Sequence, residues 1–141
     1  PFLAKNAGLN SGLMMAHVTA AALVSENKVL AHPASVDTIP TSAGKEDHVS
    51  MGVHAARKAS QIVENTVTVL GIELLAAAQA LDFLEPQKPG RGARAAHRFF
   101  RRCVPGMERD RVLAPDIAAA RGIVLDPSLR AAVEKAAGPL F

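Results

Sequence analysis

The side chains able to do chemistry gather in one stretch: Asp37, Ser42, Lys45, Glu46, Asp47 and His48 lie close together, and His54 follows shortly after. A carboxylate beside imidazoles can accept a ring N–H, hold a cation or move a proton. If Thr41 or Ser42 caps a helix here, Glu46 and Asp47 fall in its first turns, where the positive end of the helix dipole stabilises a carboxylate. Glu46 is then preorganised as a substrate anchor, and it could serve as a general base if other chains closed and desolvated the site. The structural alternative is that Glu46 and Asp47 only complement the dipole. A metal centre built from Glu46, His48 and His54 is disfavoured, because residues two apart on a helix point to different faces and no His-x-x-x-His pair occurs. No metal is expected. His17 reads as a hydrogen-bonded core histidine, His32 as a loop histidine, and Cys103 has no partner motif for catalysis and no second cysteine for a disulfide.

Positioning these side chains requires helices. Asn10 and Ser11 suit the cap of a first helix in which Leu13, Met14, Val18, Ala21, Ala22, Leu23, Val24 and Leu30 leave almost no polar face, the pattern of a helix buried on all sides. Ala31-His32-Pro33 stops it. Pro33 to Gly44 has two prolines and no helical period, which predicts an ordered loop of a functional kind. A second, long helix is expected from the Thr41/Ser42 cap to Leu84, since Val49, Val53, Ala56, Val63, Val67, Leu70, Leu74, Ala78 and Leu81 recur at threes and fours. Gly52 and Gly71 are weak points where it could bend. Glu85-Pro86-Gln87-Lys88-Pro89-Gly90-Arg91-Gly92 is the one clear break, and shorter helices follow from Ala93, from Ala114-Pro115 and from Asp126-Pro127. The fold class is therefore all-α: long antiparallel helices of a bundle with shorter C-terminal helices. Residues 1–84 form two long core helices joined by an active-site loop at about 31–45, and residues 85–141 form the C-terminal helices.

Composition agrees with helices packed through small side chains: among 141 residues 49% are hydrophobic but only 4% aromatic, with no Trp or Tyr, so Ala and Leu must fill the interior. The net charge of +3 is too mild to imply a nucleic-acid partner by itself. Most of the cationic excess lies between Lys88 and Arg111. There Arg94, Arg98, Arg101 and Arg102 fall at helical spacing, a stripe that could hold phosphates but more often is a solvated face or pairs with acids. No nucleic acid is expected. The most apolar run, Leu13 to Val24, is too short for a bilayer crossing, so no membrane partner is expected either. The single cysteine fits a cytoplasmic location. The opening Pro1-Phe2-Leu3 reads as part of something longer.

Four blocks carry a family resemblance: Gly8-Leu9-Asn10-Ser11-Gly12-Leu13-Met14, Ser25-Glu26-Asn27-Lys28, His32-Pro33-Ala34-Ser35-Val36-Asp37 and Glu46-Asp47-His48-Val49-Ser50-Met51-Gly52. In that order they resemble the C-terminal part of the histidine ammonia-lyases, within the aromatic amino acid lyases. The likeness continues through Ile72-Glu73-Leu74-Leu75-Ala76-Ala77-Ala78-Gln79 and, more loosely, through Asp110-Arg111 and Ala114-Pro115-Asp116-Ile117. The resemblance implies helical homotetramers that eliminate ammonia from L-histidine to give trans-urocanate in histidine degradation. It further implies sites shared by three subunits and an electrophile, methylidene-imidazolone (MIO), formed from an internal Ala-Ser-Gly. The glutamate matching Glu46 binds the substrate or moves a proton. Phenylalanine-specific relatives typically carry glutamine there, so Glu46 favours histidine. This sequence departs from the family at Gly44-Lys45, where Asn-Gln is usual, and it contains no Ala-Ser-Gly and no Tyr. The segment alone is expected to be inactive. The alternatives are a non-catalytic helical assembly module and a phenylalanine or tyrosine ammonia-lyase relative.

Overall fold

In the computed structural model, residues 2–6 and 8–140 are described. Among them are five α-helices and no strands: α1 (Met14–Leu30), α2 (Gly52–Phe83), α3 (Arg91–Arg101), α4 (Ala114–Leu125) and α5 (Pro127–Ala137). The fold is all-α, as the sequence predicts. Helix α1 runs antiparallel to α2. Near the end of α1, Glu26 Oε2 and Asn27 Oδ1 accept hydrogen bonds from the Asn65 side-chain amide at 2.7 and 2.9 Å, whereas Leu13, Ala16 and Ala20 at its start line one groove with Val69, Ile72 and Ala76. Asn65 is buried, and its own oxygen accepts from the Gln61 amide. The Ser-Glu-Asn-Lys block is thus partly a helix contact.

Helix α4 also packs on α2, and α3 pairs with α5. The crossing of α2 and α4 is a backbone contact. A Cβ on Gly71 would lie 2.9 Å from the Arg121 amide nitrogen and 3.2 Å from the Ala120 carbonyl carbon. Helix α2 continues unbroken through Gly71, and the missing side chain admits α4. Ile72, Leu75, Ala78, Ala120 and Ile123 surround this crossing, and Phe100, Val104 and Met107 extend the core. Burying these side chains supplies the main drive for folding, about 25 cal/mol for each Å² of apolar surface removed from water.

Polar side chains tie the connecting segments to this core. Buried Gln79 treats Met107 as a strand would: its oxygen accepts from the Met107 N–H at 3.0 Å and its amide donates to the Met107 carbonyl at 3.1 Å. Arg111 donates through Nε to the buried Asp116 carboxylate at 2.8 Å and through its other nitrogens to the Gly106 and Pro105 carbonyls.

Three expectations need correction. The start of α1 is not capped by Asn10 or Ser11, because Asn10 Nδ2 donates to the Lys5 carbonyl and the Ser11 side chain makes no capping bond. No side chain caps the helix at its N-cap residue Leu13; the Asp110 carboxylate, far along the chain, instead holds the turn before α1 by accepting from the Ser11 and Gly12 amides at 2.7 and 2.9 Å. Gly12 makes this turn at φ +60, and a Cβ there would lie 2.5 Å from the Phe2 carbonyl oxygen, so only glycine fits. Second, α1 is not buried on all sides: Ala16 is buried, but Met15, Val18, Val24 and Val29 are exposed, because among the described residues α1 packs mainly on α2 and the start of α4. His17 is exposed and is not a core histidine. Third, α2 begins at Gly52 and not near residue 42. Ser42 and Ala43 take left-handed φ values of 54 and 57, which a right-handed helix cannot include. Helix α2 is long and apolar enough to cross a membrane, a property shared by core helices on which others pack, as α1 and α4 do here.

Replacing Gly71 by Ala is expected to lower stability by about 1–3 kcal/mol, because backbone must move to admit the methyl. Gly122→Ala, whose added carbon meets nothing within 4 Å in α4, is expected to be neutral or stabilising by up to about 1 kcal/mol. Chemical denaturation of the two variants distinguishes them, and equal midpoints would contradict the crossing. Asp126 caps α5 by accepting from the Ser128 amide at 2.8 Å, and that bond, with a smaller one from the Ser128 side chain, lowers the carboxyl pKa below its usual value. A depressed folded-state pKa means the cap's contribution is complete above the ordinary Asp value and is lost as pH falls through the lowered one. Amide-exchange protection in the first turn of α5, measured against the intrinsic exchange rate at each pH, should therefore fall in acid, and Asp126→Ala should remove that acid dependence.

Candidate functional site

The chemistry-bearing stretch is a loop, residues 31–51, between α1 and α2. Its two arms are held together at few points. The Thr38 hydroxyl accepts from the Val49 amide at 3.1 Å, and Asp37 accepts from the Thr38 amide at 2.7 Å. Lys58 on α2 donates to the His32 carbonyl, which anchors the first arm where α1 ends. Ser50 receives the Gly52 amide at 3.1 Å and so marks the true opening of α2. Ser35, Val36, Asp37, Thr38, His48, Val49 and Ser50 line an open cavity of about 500 Å³ between the arms.

Glu46 lies beyond that cavity, at the tip. It is not at a helix N-terminus, so the dipole argument made from sequence does not apply to it. It pairs with Thr41 in an isolated antiparallel bridge: the Thr41 amide donates to the Glu46 carbonyl at 2.8 Å and the Glu46 amide to the Thr41 carbonyl at 3.3 Å. The Thr41 hydroxyl also donates to Glu46 Oε2 at 3.1 Å. Thr41 was expected to cap a helix, and its hydroxyl makes this contact instead. Its signal in sequence is only that it precedes Glu46 across a short Ser-Ala-Gly turn.

All side chains from Thr41 to Ser50 are exposed, including Glu46, Asp47 and His48, and His54 is exposed on the first turn of α2. Val36 and Ile39 are also uncovered, at 80% and 69% exposure, which is high for apolar side chains on an ordered loop. This chain brings Glu46 and Thr41 together, and it does not bring Glu46, His48 and His54 into a common cluster; among the described residues no three His, Cys, Asp or Glu side chains meet.

The arginine stripe on α3 divides. Arg101 donates to Asp82, Gln79 and the Val104 carbonyl, and His97 meets the other Asp82 oxygen at 2.7 Å, so these two face inward across the end of α2. Arg94 donates to the Pro89 carbonyl, while Arg98 and Arg102 are exposed.

A short loop that lifts a carboxylate from a helical bundle, carrying the Glu-Asp-His-Val-Ser-Met-Gly block, defines the class. The chain belongs to the aromatic amino acid lyase family, whose model matches residues 1–102. Among curated relatives it is 57% identical over 140 residues to the histidine ammonia-lyase of Sorangium cellulosum and 58% identical over 139 residues to that of Symbiobacterium thermophilum; each match takes in 99% of this chain and 27% of the relative. This chain therefore spans about a quarter of the length of these relatives. Among solved structures, histidine ammonia-lyase from Trypanosoma cruzi superposes with a TM-score of 0.90 at 48% identity, covering 95% of this chain and 27% of that one. Tyrosine aminomutase from Streptomyces globisporus superposes at 0.86 with 34% identity, over 95% of this chain and 26% of that one.

Proposed function

We propose that this chain is the C-terminal helical part of an enzyme that eliminates ammonia from L-histidine, giving trans-urocanate without oxidation, and that Glu46 is its contribution to the catalytic centre. One observation carries the reading: Glu46 stands exposed at the tip of a loop whose neighbouring side chains from Thr41 to Ser50 are all uncovered, so the carboxylate is available to a site completed by other polypeptide. Chemistry favours histidine among aromatic amino acids. An imidazole has a ring N–H for a carboxylate to accept, and a phenyl ring has none. The higher identity to histidine ammonia-lyases than to the tyrosine aminomutase points the same way. Glu46 either holds the imidazole through that N–H or moves a proton as the C–N bond breaks.

Residues 1–84 then form the part that carries the loop, and residues 85–141 the part that braces it. The exposed apolar side chains of α1 support self-association, in the family's homotetramer, and we place the enzyme in the cytoplasm. The family electrophile MIO, an electron sink for the leaving amine, does not fit any residues of this chain. Ala-Ser-Gly is absent, the amides of Ser11 and Gly12 are committed to Asp110, and Ser42-Ala43-Gly44 forms the tight turn before Glu46. That group would have to come from elsewhere in the enzyme.

In the full-length polypeptide, Glu46→Gln is expected to lower histidine turnover by about a hundredfold or more, if proton transfer is its role, with the thermal midpoint unchanged; unaltered kinetics would remove Glu46 from the site. The 141-residue polypeptide by itself is expected to give no rise in urocanate absorbance with L-histidine. Turnover by it would show that a complete centre resides here.

A further inference from the structure

Resting on that reading of Glu46, we propose that Thr41 is its positioning residue: the Thr41 hydroxyl holds one carboxylate oxygen and leaves the other directed to the substrate. The backbone is built to bring the two together. Between them Ser42, Ala43 and Gly44 take φ values of 54, 57 and 80, a run of left-handed conformations that residues with a Cβ adopt uncommonly. The Gly44 amide donates to the Thr41 carbonyl at 3.0 Å and the Lys45 amide to the Ser42 carbonyl at 3.3 Å, closing the turn. Residues paired across such a bridge carry their side chains on the same face, and here Thr41 Oγ1 reaches Glu46 Oε2.

Folding does not demand this bond. Both side chains are exposed, so water could satisfy either one. What the bond does is restrict a long, flexible carboxylate. Threonine is stiff at its first torsion, so its hydroxyl is a fixed donor, while the glutamate would otherwise sample many rotamers. Oε2 is occupied and Oε1 keeps its lone pairs for a ring N–H or a proton. A functional group held by a neighbour whose own conformation is restricted meets its substrate with less ordering left to do.

The test measures kcat and KM for L-histidine in the full-length polypeptide carrying Thr41→Val, Thr41→Ser, Glu46→Gln, Glu46→Ala, and Thr41→Val combined with Glu46→Ala. Valine keeps the shape and removes the donor, and is expected to reduce kcat/KM about tenfold, as for loss of a hydrogen bond to a charged group. The loss should fall on whichever constant, kcat or KM, Glu46→Gln changes. Serine should restore activity to within about twofold, and Thr41→Val should add nothing once Glu46 is alanine, because the two act as one unit. Normal kinetics in Thr41→Val, beside impaired Glu46→Gln, overturns the positioning role and leaves the proposed function standing. Failure of serine to rescue overturns it too. An equal loss in the Glu46→Ala background, with a lowered thermal midpoint, assigns the hydroxyl to the turn itself and overturns the proposal. Unchanged kinetics in Glu46→Gln defeats the underlying reading, and the role of Thr41 falls with it.

Discussion

The backbones of α2 and α4 meet at Gly71, where there is no room for a single additional carbon. That contact fixes where α4 sits along α2, and much follows from it. With α4 in place, Asp116 is buried and draws in Arg111, whose guanidinium collects the carbonyls of Pro105 and Gly106. The segment so held presents Met107 to Gln79 and Asp110 to the amides of Ser11 and Gly12 in the turn before α1. A close helix crossing is thus linked to the turn before α1 through a chain of hydrogen bonds, of which the buried ones at Gln79 would leave polar groups unsatisfied if broken.

Burial along α2 is uneven, and the unevenness separates support from site. Its later turns carry Ile72, Leu75, Ala78 and Gln79, all buried, while its first turns and the loop before them are largely exposed and hold no buried residue. The end of the helix that is packed by α1 and α4 acts as the rigid base. The other end projects the loop away from everything this chain can place around it. Uncovered Val36 and Ile39 on the loop, and Met15, Val18 and Val24 on α1, are apolar surface of a kind that a folded assembly covers. A catalytic side chain at such an end can be approached by other polypeptide without rearranging the base.

Several residues of the family-like blocks are structural. Glu26 and Asn27 bind Asn65, Gln79 pairs with Met107, Asp110 holds the turn before α1, and Asp116 holds Arg111. Each is polar; Asp116 meets a guanidinium, and the others satisfy backbone or side-chain amide groups. Of the reactive side chains in the loop, Glu46 alone joins a hydrogen-bonded pair at the tip, and its partner is threonine rather than another charged group.

Helices were legible because apolar spacing at threes and fours, and the stops at Pro33, Pro86 and Pro89, are properties of the local chain. The concentration of reactive side chains in one loop was equally plain from residue types. The anchoring of the turn before α1 was not, because Asp110 reaches Ser11 from a distant part of the chain and no local pattern announces it. The opening of α2 was misplaced for a related reason: Thr41, Ser42 and Glu46 have the residue types of a helix start, but the chain turns left-handed at Ser42 and Ala43, and a bridge takes the place of the helical turn. Sequence alone therefore determined that this protein is helical and where its chemistry is concentrated. Tertiary structure decided which polar groups support the fold and how Glu46 is held, because those depend on distances between residues that sequence spacing does not constrain.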